Sequence, residues 1–155
     1  MLHNVTVHTE YGDTTQIDHI VIVETSLFVV ETKNYEDWIY RTGKAARWIQ
    51  GIFRKEFSFQ NPSRQNYKHI KAIEWVMEQQ LPCISIAAFH PKCSFKRMNV
   101  SSKDKHVLYY NDLKKCIKSY TDLQLTNDEV NYIYQTMLRA KIMDNGIEKK
   151  HVKYL

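Results

Sequence analysis

The sequence predicts an α/β fold in which a mixed β-sheet is flanked by helices, and three stretches carry that expectation. Residues 16 to 33 hold two apolar strands, Gln16-Ile17-Asp18-His19-Ile20-Val21-Ile22-Val23 and Leu27-Phe28-Val29-Val30-Glu31-Thr32-Lys33, joined by Glu24-Thr25-Ser26. Residues rich in Ile, Val and Phe on either side of a short polar turn read as a hairpin. Asn61-Pro62 opens a helix that places apolar residues at Tyr67, Ile70, Ile73 and Met77 before Pro82 stops it. Cys83 to Phe89 follows as an apolar run broken only by Ser85, the pattern of a strand buried on both faces. A buried strand after a helix implies a crossover, and hence a sheet with parallel as well as antiparallel pairs.

The remaining elements follow in order. Residues 2 to 8 set Leu2, Asn4 and Thr6 against His3, Val5 and Val7 as a first strand, and Glu10-Tyr11-Gly12-Asp13 is a turn. After a loop at Asn34-Tyr35-Glu36-Asp37, Trp38 to Arg41 is a short strand and Thr42-Gly43-Lys44 a turn. Residues 45 to 59 read as a second hairpin. There Arg41, Lys44, Arg47, Arg54 and Lys55 interleave with Trp38, Tyr40, Trp48 and Phe53, either as a surface that stacks bases and contacts phosphates or as core aromatics between solvated charges. The core reading is preferred for Trp48 and Phe53. His106 to Tyr110 is a further strand. Asn111 is a cap for a short helix with Leu113, Cys116, Ile117 and Tyr120 inward and Lys114, Lys115 and Lys118 outward. Thr126-Asn127-Asp128-Glu129 forms a capping box for a helix whose apolar stripe is Val130, Ile133, Met137 and Leu138, with Asn145-Gly146 as its stop. Residues 1 to 145 are read as one domain and residues 146 to 155 as a basic tail carrying Lys149, Lys150 and Lys153.

A chain of 155 residues matches the size of one domain. No apolar run approaches the about eighteen residues of a membrane span, and the first residues lack the apolar stretch of a signal peptide, so the expected compartment is the cytoplasm and no membrane partner is expected. Cys83, Cys93 and Cys116 are odd in number and sparse, which argues against a disulfide framework. Cys83 and Cys116 are expected in the core. His90 and Cys93 have no paired second half, so structural zinc is not expected. Repeats, a glycine-rich phosphate loop and a helix-turn-helix pattern are absent. The net charge of +5 favours a polyanionic partner. Between His90 and His106 the cations Lys92, Lys96, Arg97, Lys103 and Lys105 face Asp104 alone, which reads either as a grip on phosphate backbone or as a solvated loop.

The charged ends of the first hairpin hold the chemistry. Directly paired residues in an antiparallel hairpin have numbers of constant sum. With Glu24-Thr25 as the loop the sum is 49, and Asp18 then faces Glu31 while Gln16 faces Lys33; a shifted or longer loop of sum 51 keeps the same face and sets Asp18 opposite Lys33 with Glu31 diagonal to it. Two opposed carboxylates repel unless something offsets the repulsion. A divalent cation such as Mg²⁺ or Mn²⁺ between Asp18 and Glu31 does so, with the carbonyl of Thr32 as a further ligand and Lys33 on the same face to hold the attacking water. The plain alternative is a set of solvated strand-end charges with a surface ion pair.

The run TTQIDHIVIVETSLFVVETKNYEDWIY, followed by NPSRQNYKHIKAIEW, resembles the NERD (nuclease-related) domain. Its members carry IDH, an ETKN-like strand end, a tryptophan shortly after, and an NPxRQN helix start. The domain is similar to the PD-(D/E)xK restriction-endonuclease-like nucleases, so the resemblance implies a restriction-endonuclease-like core. It covers residues 4 to 81 closely. It implies that Asp18 and Glu31 are metal ligands, that Lys33 is the catalytic lysine and that Gln65 is a site residue; Arg64 and Lys68 lie beside Gln65 in the first turns of the same helix. The family's domain usually opens with a helix bearing a Gly-Glu pair, and Glu10, in a turn, does not match it. The expected function is therefore metal-dependent hydrolysis of phosphodiester bonds in DNA or RNA, DNA being the expected partner and a homodimer a possible state. The alternatives are an inactive nucleic-acid-binding module of the same fold and a protein-interaction scaffold that uses its basic loop.

Overall fold

A computed structural model describes residues 1–34, 38–40, 47–52, 55–95 and 102–142. The central sheet has five strands in the order β1, β2, β3, β7, β9, formed by Leu2–His8, Thr14–Ile22, Leu27–Lys33, Cys83–Phe89 and Lys105–Tyr109. The first three are antiparallel, and β3, β7 and β9 run parallel to one another. This is the expected mixed sheet. The crossover from β3 to β7 contains helix α1, Pro62–Met77, preceded by a second sheet of β4 (Trp38–Tyr40), β5 (Arg47–Ile52) and β6 (Lys55–Gln60), to which β8 (Ser94–Phe95) adds a parallel edge. β5 and β6 pair as the expected second hairpin.

Two helices cover one face of the central sheet and one covers the other. Val5, Val7, Ile17, Ile20, Leu27 and Val29 pack against Ala72, Ile73 and Met77 of α1 and against Ile133 and Met137 of α3, Asn127–Ala140. On the opposite face Phe28, Val30, Ile84, Ile86 and Ala88 meet Leu113, Cys116, Ile117 and Tyr120, the inward set expected for α2, Leu113–Lys118. The second sheet adds a third cluster, in which fully buried Trp48 stacks on Phe89 with centroids 6.2 Å apart and Phe59 closes the group. Trp48 is thus a core residue. The side chains of Trp38, Tyr40 and Lys55, the residues Arg41, Lys44, Phe53 and Arg54, the 42–44 turn, and the Asn145-Gly146 stop with the tail beyond it lie outside the described residues.

Several local expectations change for identifiable reasons. On α1 the buried row is Ser63, Asn66, His69, Ala72, Ile73 and Met77, while Tyr67 is 59 % exposed. The helix turns its polar residues inward because Asn66 and His69 find partners there, and the Tyr67 ring stays outside beneath the Lys71 ammonium, 5.5 Å from its centroid. α1 ends at Glu78, which adopts the left-handed conformation at φ 58°, four residues before Pro82. Asn61 caps the other end by accepting from the Ser63 N–H at 2.9 Å. Asn111 is not a cap: it lies inside a 3₁₀ turn, Tyr110–Asp112, that leads into α2. The Thr126/Glu129 capping box forms as expected, but α3 ends at Ala140 rather than at Asn145-Gly146, and Leu138 is 37 % exposed. Cys93 is the buried cysteine; Cys83 and Cys116 are only partly buried, and none of the three is in a disulfide. No described helix is long and apolar enough to cross a membrane.

Thr126→Ala should lower the unfolding free energy by about 1 kcal/mol, the usual value of a lost N-cap. Leu138→Ala should cost less than about 0.5 kcal/mol, as a surface change does. Urea denaturation of the two variants checks the orientation of α3, which is wrong if Leu138→Ala is the more damaging.

Candidate metal and nucleic-acid site

The hairpin pairs in the register expected from Glu24-Thr25 as its loop: His19 faces Val30, Ile20 faces Val29 and Ile22 faces Leu27, and the Val23 N–H donates to the Ser26 carbonyl at 3.2 Å. The ladder stops one pair short of Asp18. Along β1 the buried residues step from Leu2 to Val5, and along β2 from Ile17 to Ile20, so both strands break their alternation at the same level. Asn4, at φ 49°, supplies the break in β1; asparagine is among the few residues that adopt this conformation at low cost. Beyond this point β2 no longer pairs with β3. The Asp18 carboxylate takes over, accepting through one oxygen from the Thr32 N–H at 2.9 Å and from the Thr32 hydroxyl at 3.0 Å. Asp18 is thus tied to the end of β3 by its side chain, where the sequence places it by backbone pairing.

Glu31 follows on β3 and is only 7 % exposed. Lys33 Nζ lies 3.4 Å from Glu31 Oε1. On the other side, His69 Nδ1 of α1 lies 4.0 Å from Glu31 Oε2. The neighbouring strand contributes only methyl groups here, since Ala87 and Ala88 are the partners of Glu31 and Thr32. Burial, together with the Asp18 charge, pushes the Glu31 carboxyl up to about 7 against the opposing pull of Lys33. Burial also lowers His69 to about 4, so its contact with Glu31 joins a neutral ring to a carboxylate and is not an ion pair. Tyr110, just past β9, is raised by burial and by the Asp18 charge.

Gln65 precedes His69 by four residues and so lies one helical turn nearer the N-terminus on the same row of α1. Its Oε1 is buried and has no hydrogen-bond partner among the described residues. Asp18, Glu31, Thr32 and Lys33 are therefore gathered at the end of β3, and Gln65 sits on the adjoining helix. Among the described residues no three His, Cys, Asp or Glu side chains form a group suited to a metal. The donors on offer are two carboxylates, carbonyl and amide oxygens, and water. That set fits a hard cation that keeps several waters, not a structural zinc.

The cations expected to meet phosphate are dispersed. Arg64 is exposed on the first turn of α1. Lys68 pairs with Asp13 at 2.9 Å and lines an open groove with Tyr11, Tyr67 and Lys71. Lys92 is exposed in the turn after β7, its N–H donating to His90 Nδ1 at 3.1 Å. Lys96 and Arg97 lie outside the described residues. Two residues escaped sequence reasoning: His69, 4.0 Å from Glu31, and Asn66, which contacts His69 from behind. The available signal was polar residues at positions 65, 66 and 69, which share one face of a helix.

The raised Glu31 pKa has a sign that experiment reads directly. Between about 4.5 and about 7 the folded chain holds a proton that the unfolded chain releases, so Glu31 makes stability fall as pH rises through that window. Glu31→Gln should remove this slope, a change of at most about 3 kcal/mol across the window. Urea denaturation of parent and variant at both ends of the range measures it, and parallel pH profiles would contradict the assignment.

Residues 1–90 match the model of the nuclease-related domain, NERD. An uncharacterized protein of Bacillus anthracis is 80% identical over 155 residues, which is 100% of this chain and 73% of that protein. No solved structure matches the chain. With more than half of its length under the family model, and with the hairpin and α1 forming as that resemblance implies, the chain belongs to the NERD nuclease-related domain family.

Proposed function

We propose that this chain is a metal-dependent nuclease that hydrolyses phosphodiester bonds, with DNA as the favoured substrate. The observation that carries the reading is the buried Glu31, pushed up to about 7 beside Asp18 at the end of β3. Two carboxylates with only the Lys33 ammonium beside them are incompletely compensated, and a divalent cation would supply the remaining charge. Asp18, Glu31 and the Thr32 carbonyl would hold Mg²⁺ or Mn²⁺, and the unpartnered Gln65 Oε1 adds an acceptor from α1 for a bound water. When bound, such an ion polarises the phosphate and lowers the pKa of a coordinated water.

The chain's own groups do the rest. Thr32 orients Asp18 through two hydrogen bonds, so that carboxylate needs no reorganisation. Lys33 sits 3.4 Å from Glu31 Oε1, where its ammonium positions the nucleophilic water and stabilises the charge that develops on the phosphate oxygens. Arg64, Lys68 and Lys92, with Lys96 and Arg97, are the cations offered to the phosphate backbone. Family membership supports a nuclease-related module.

Supercoiled plasmid, single-stranded DNA and RNA, incubated with the purified chain and Mg²⁺, Mn²⁺ or chelator, test the proposal. Cutting should require metal and fall at least about 100-fold in Lys33→Ala, the scale of a lost group that stabilises transition-state charge. Glu31→Ala should fall at least as far. Cleavage that survives Glu31→Ala would refute the site; salt-sensitive binding without cleavage would assign the chain to the inactive binding module instead.

A further inference from the structure

α1 carries a polar pair that the nuclease reading does not use. Asn66 has no exposed surface, and its Nδ2 donates to the Val29 carbonyl at 3.1 Å and the Ile86 carbonyl at 3.1 Å, with Ser85 Oγ at 3.0 Å. These contacts settle which way the amide points. An oxygen in place of Nδ2 would face two carbonyl oxygens with no hydrogen between them, so the nitrogen belongs there and Oδ1 faces the opposite way. On that side lies His69 Nδ1, 3.3 Å from Asn66 Oδ1. A side-chain amide oxygen only accepts, so His69 Nδ1 must carry the hydrogen. The same edge of the ring lies 4.0 Å from Glu31 Oε2, while Lys33 flanks the other carboxylate oxygen at 3.4 Å.

We propose that Asn66 and His69 form a positioning relay for Glu31. The carbonyls of the two parallel central strands, β3 and β7, fix the Asn66 amide; the amide oxygen accepts the His69 Nδ1 hydrogen and so fixes the ring; and the ring, standing 4.0 Å from Glu31 Oε2 without a hydrogen bond to it, packs against the carboxylate and limits it to the orientation in which it receives a divalent cation. The relay rests on the reading that Glu31 is a metal ligand. Partners of this kind behind a ligand usually change metal affinity by about 10–100-fold. His69 is a positioning residue here and touches neither metal nor substrate. The arrangement also ties the site to the core, because the groups that set the orientation of Glu31 are backbone carbonyls of the two central strands.

Two measurements on the full chain decide it. Histidine-ring ¹⁵N spectra of the metal-free parent, with His69→Gln identifying the resonance, should show the proton on Nδ1 of His69; a bare Nδ1 overturns the relay without reference to any variant's folding. Calorimetric titration with Mn²⁺ should show His69→Leu binding about 10–100-fold more weakly than the parent. His69→Gln, whose amide can still donate to Asn66 Oδ1 and stand beside Glu31, should recover most of the loss. Circular dichroism confirms that both variants are folded. Equal affinity in His69→Leu and parent overturns the relay alone, whereas a parent that binds no Mn²⁺ overturns the metal site beneath it.

Discussion

The peptide N–H of Thr32 loses its strand partner where β2 turns away from β3, and the Asp18 carboxylate fills that place. A buried or half-buried amide without a partner costs about as much as a lost hydrogen bond, so the gap demands an acceptor. Asp18 meets the demand twice, through the N–H and the hydroxyl of the same residue. The break in alternation shared by β1 and β2 is what opens the gap, and Asn4 in the left-handed region is what lets β1 follow. A sheet paired regularly to its end would leave Asp18 as an ordinary strand residue. Here it is a carboxylate pinned next to a second one.

The second carboxylate shows how packing and electrostatics oppose each other at this point. Glu31 sits where the core wants an apolar side chain, between Ala87 on one strand and the inward row of α1. Its environment offers one ammonium and one neutral imidazole. These do not compensate fully for desolvation plus a neighbouring negative charge, and the carboxyl pKa rises to about 7. Local instability of this kind is characteristic of functional positions, where the fold gives up stability to hold groups in an arrangement that a ligand completes. The aromatic cluster of Trp48, Phe59 and Phe89 packs against β7 beside the site and holds the second sheet in place.

Much of this was legible in the amino-acid sequence, and the rest was hidden for physical reasons. Ile, Val and Phe runs with polar punctuation define the hairpin and exclude odd slips of its register, because a slip of one residue would turn an apolar set to the wrong face; between sums of 49 and 51 only the structure decides, and it has 49. Cys83 to Phe89 reads as a doubly buried strand and is one. The break at Asn4 and Asp18 was not legible, since a bulge shared by two strands leaves local composition unchanged. Tyr67, Ile70, Ile73 and Met77 suggested an apolar face for α1, yet the helix is rotated so that Asn66 and His69 point inward. Hydrophobic periodicity ranks Asn and His as surface residues, and only the carbonyls of Val29 and Ile86 and the Glu31 carboxylate explain why they are not. Asn145-Gly146 is a good stop signal, but α3 ends earlier, and the Ile142 N–H then donates to the Thr6 carbonyl of β1.

The central claim is that Glu31, protonated in part near neutrality, is a ligand of a divalent cation. Metal binding then displaces its proton. Calorimetric titration of the chain with Mn²⁺ at pH 7, repeated in buffers of different ionisation enthalpy, counts that proton. The account predicts release of about half a proton per ion at pH 7, falling toward zero by about pH 9, and no such release in Glu31→Gln. Mn²⁺ binding of unchanged affinity in Glu31→Gln, or binding without proton release at pH 7, would contradict it.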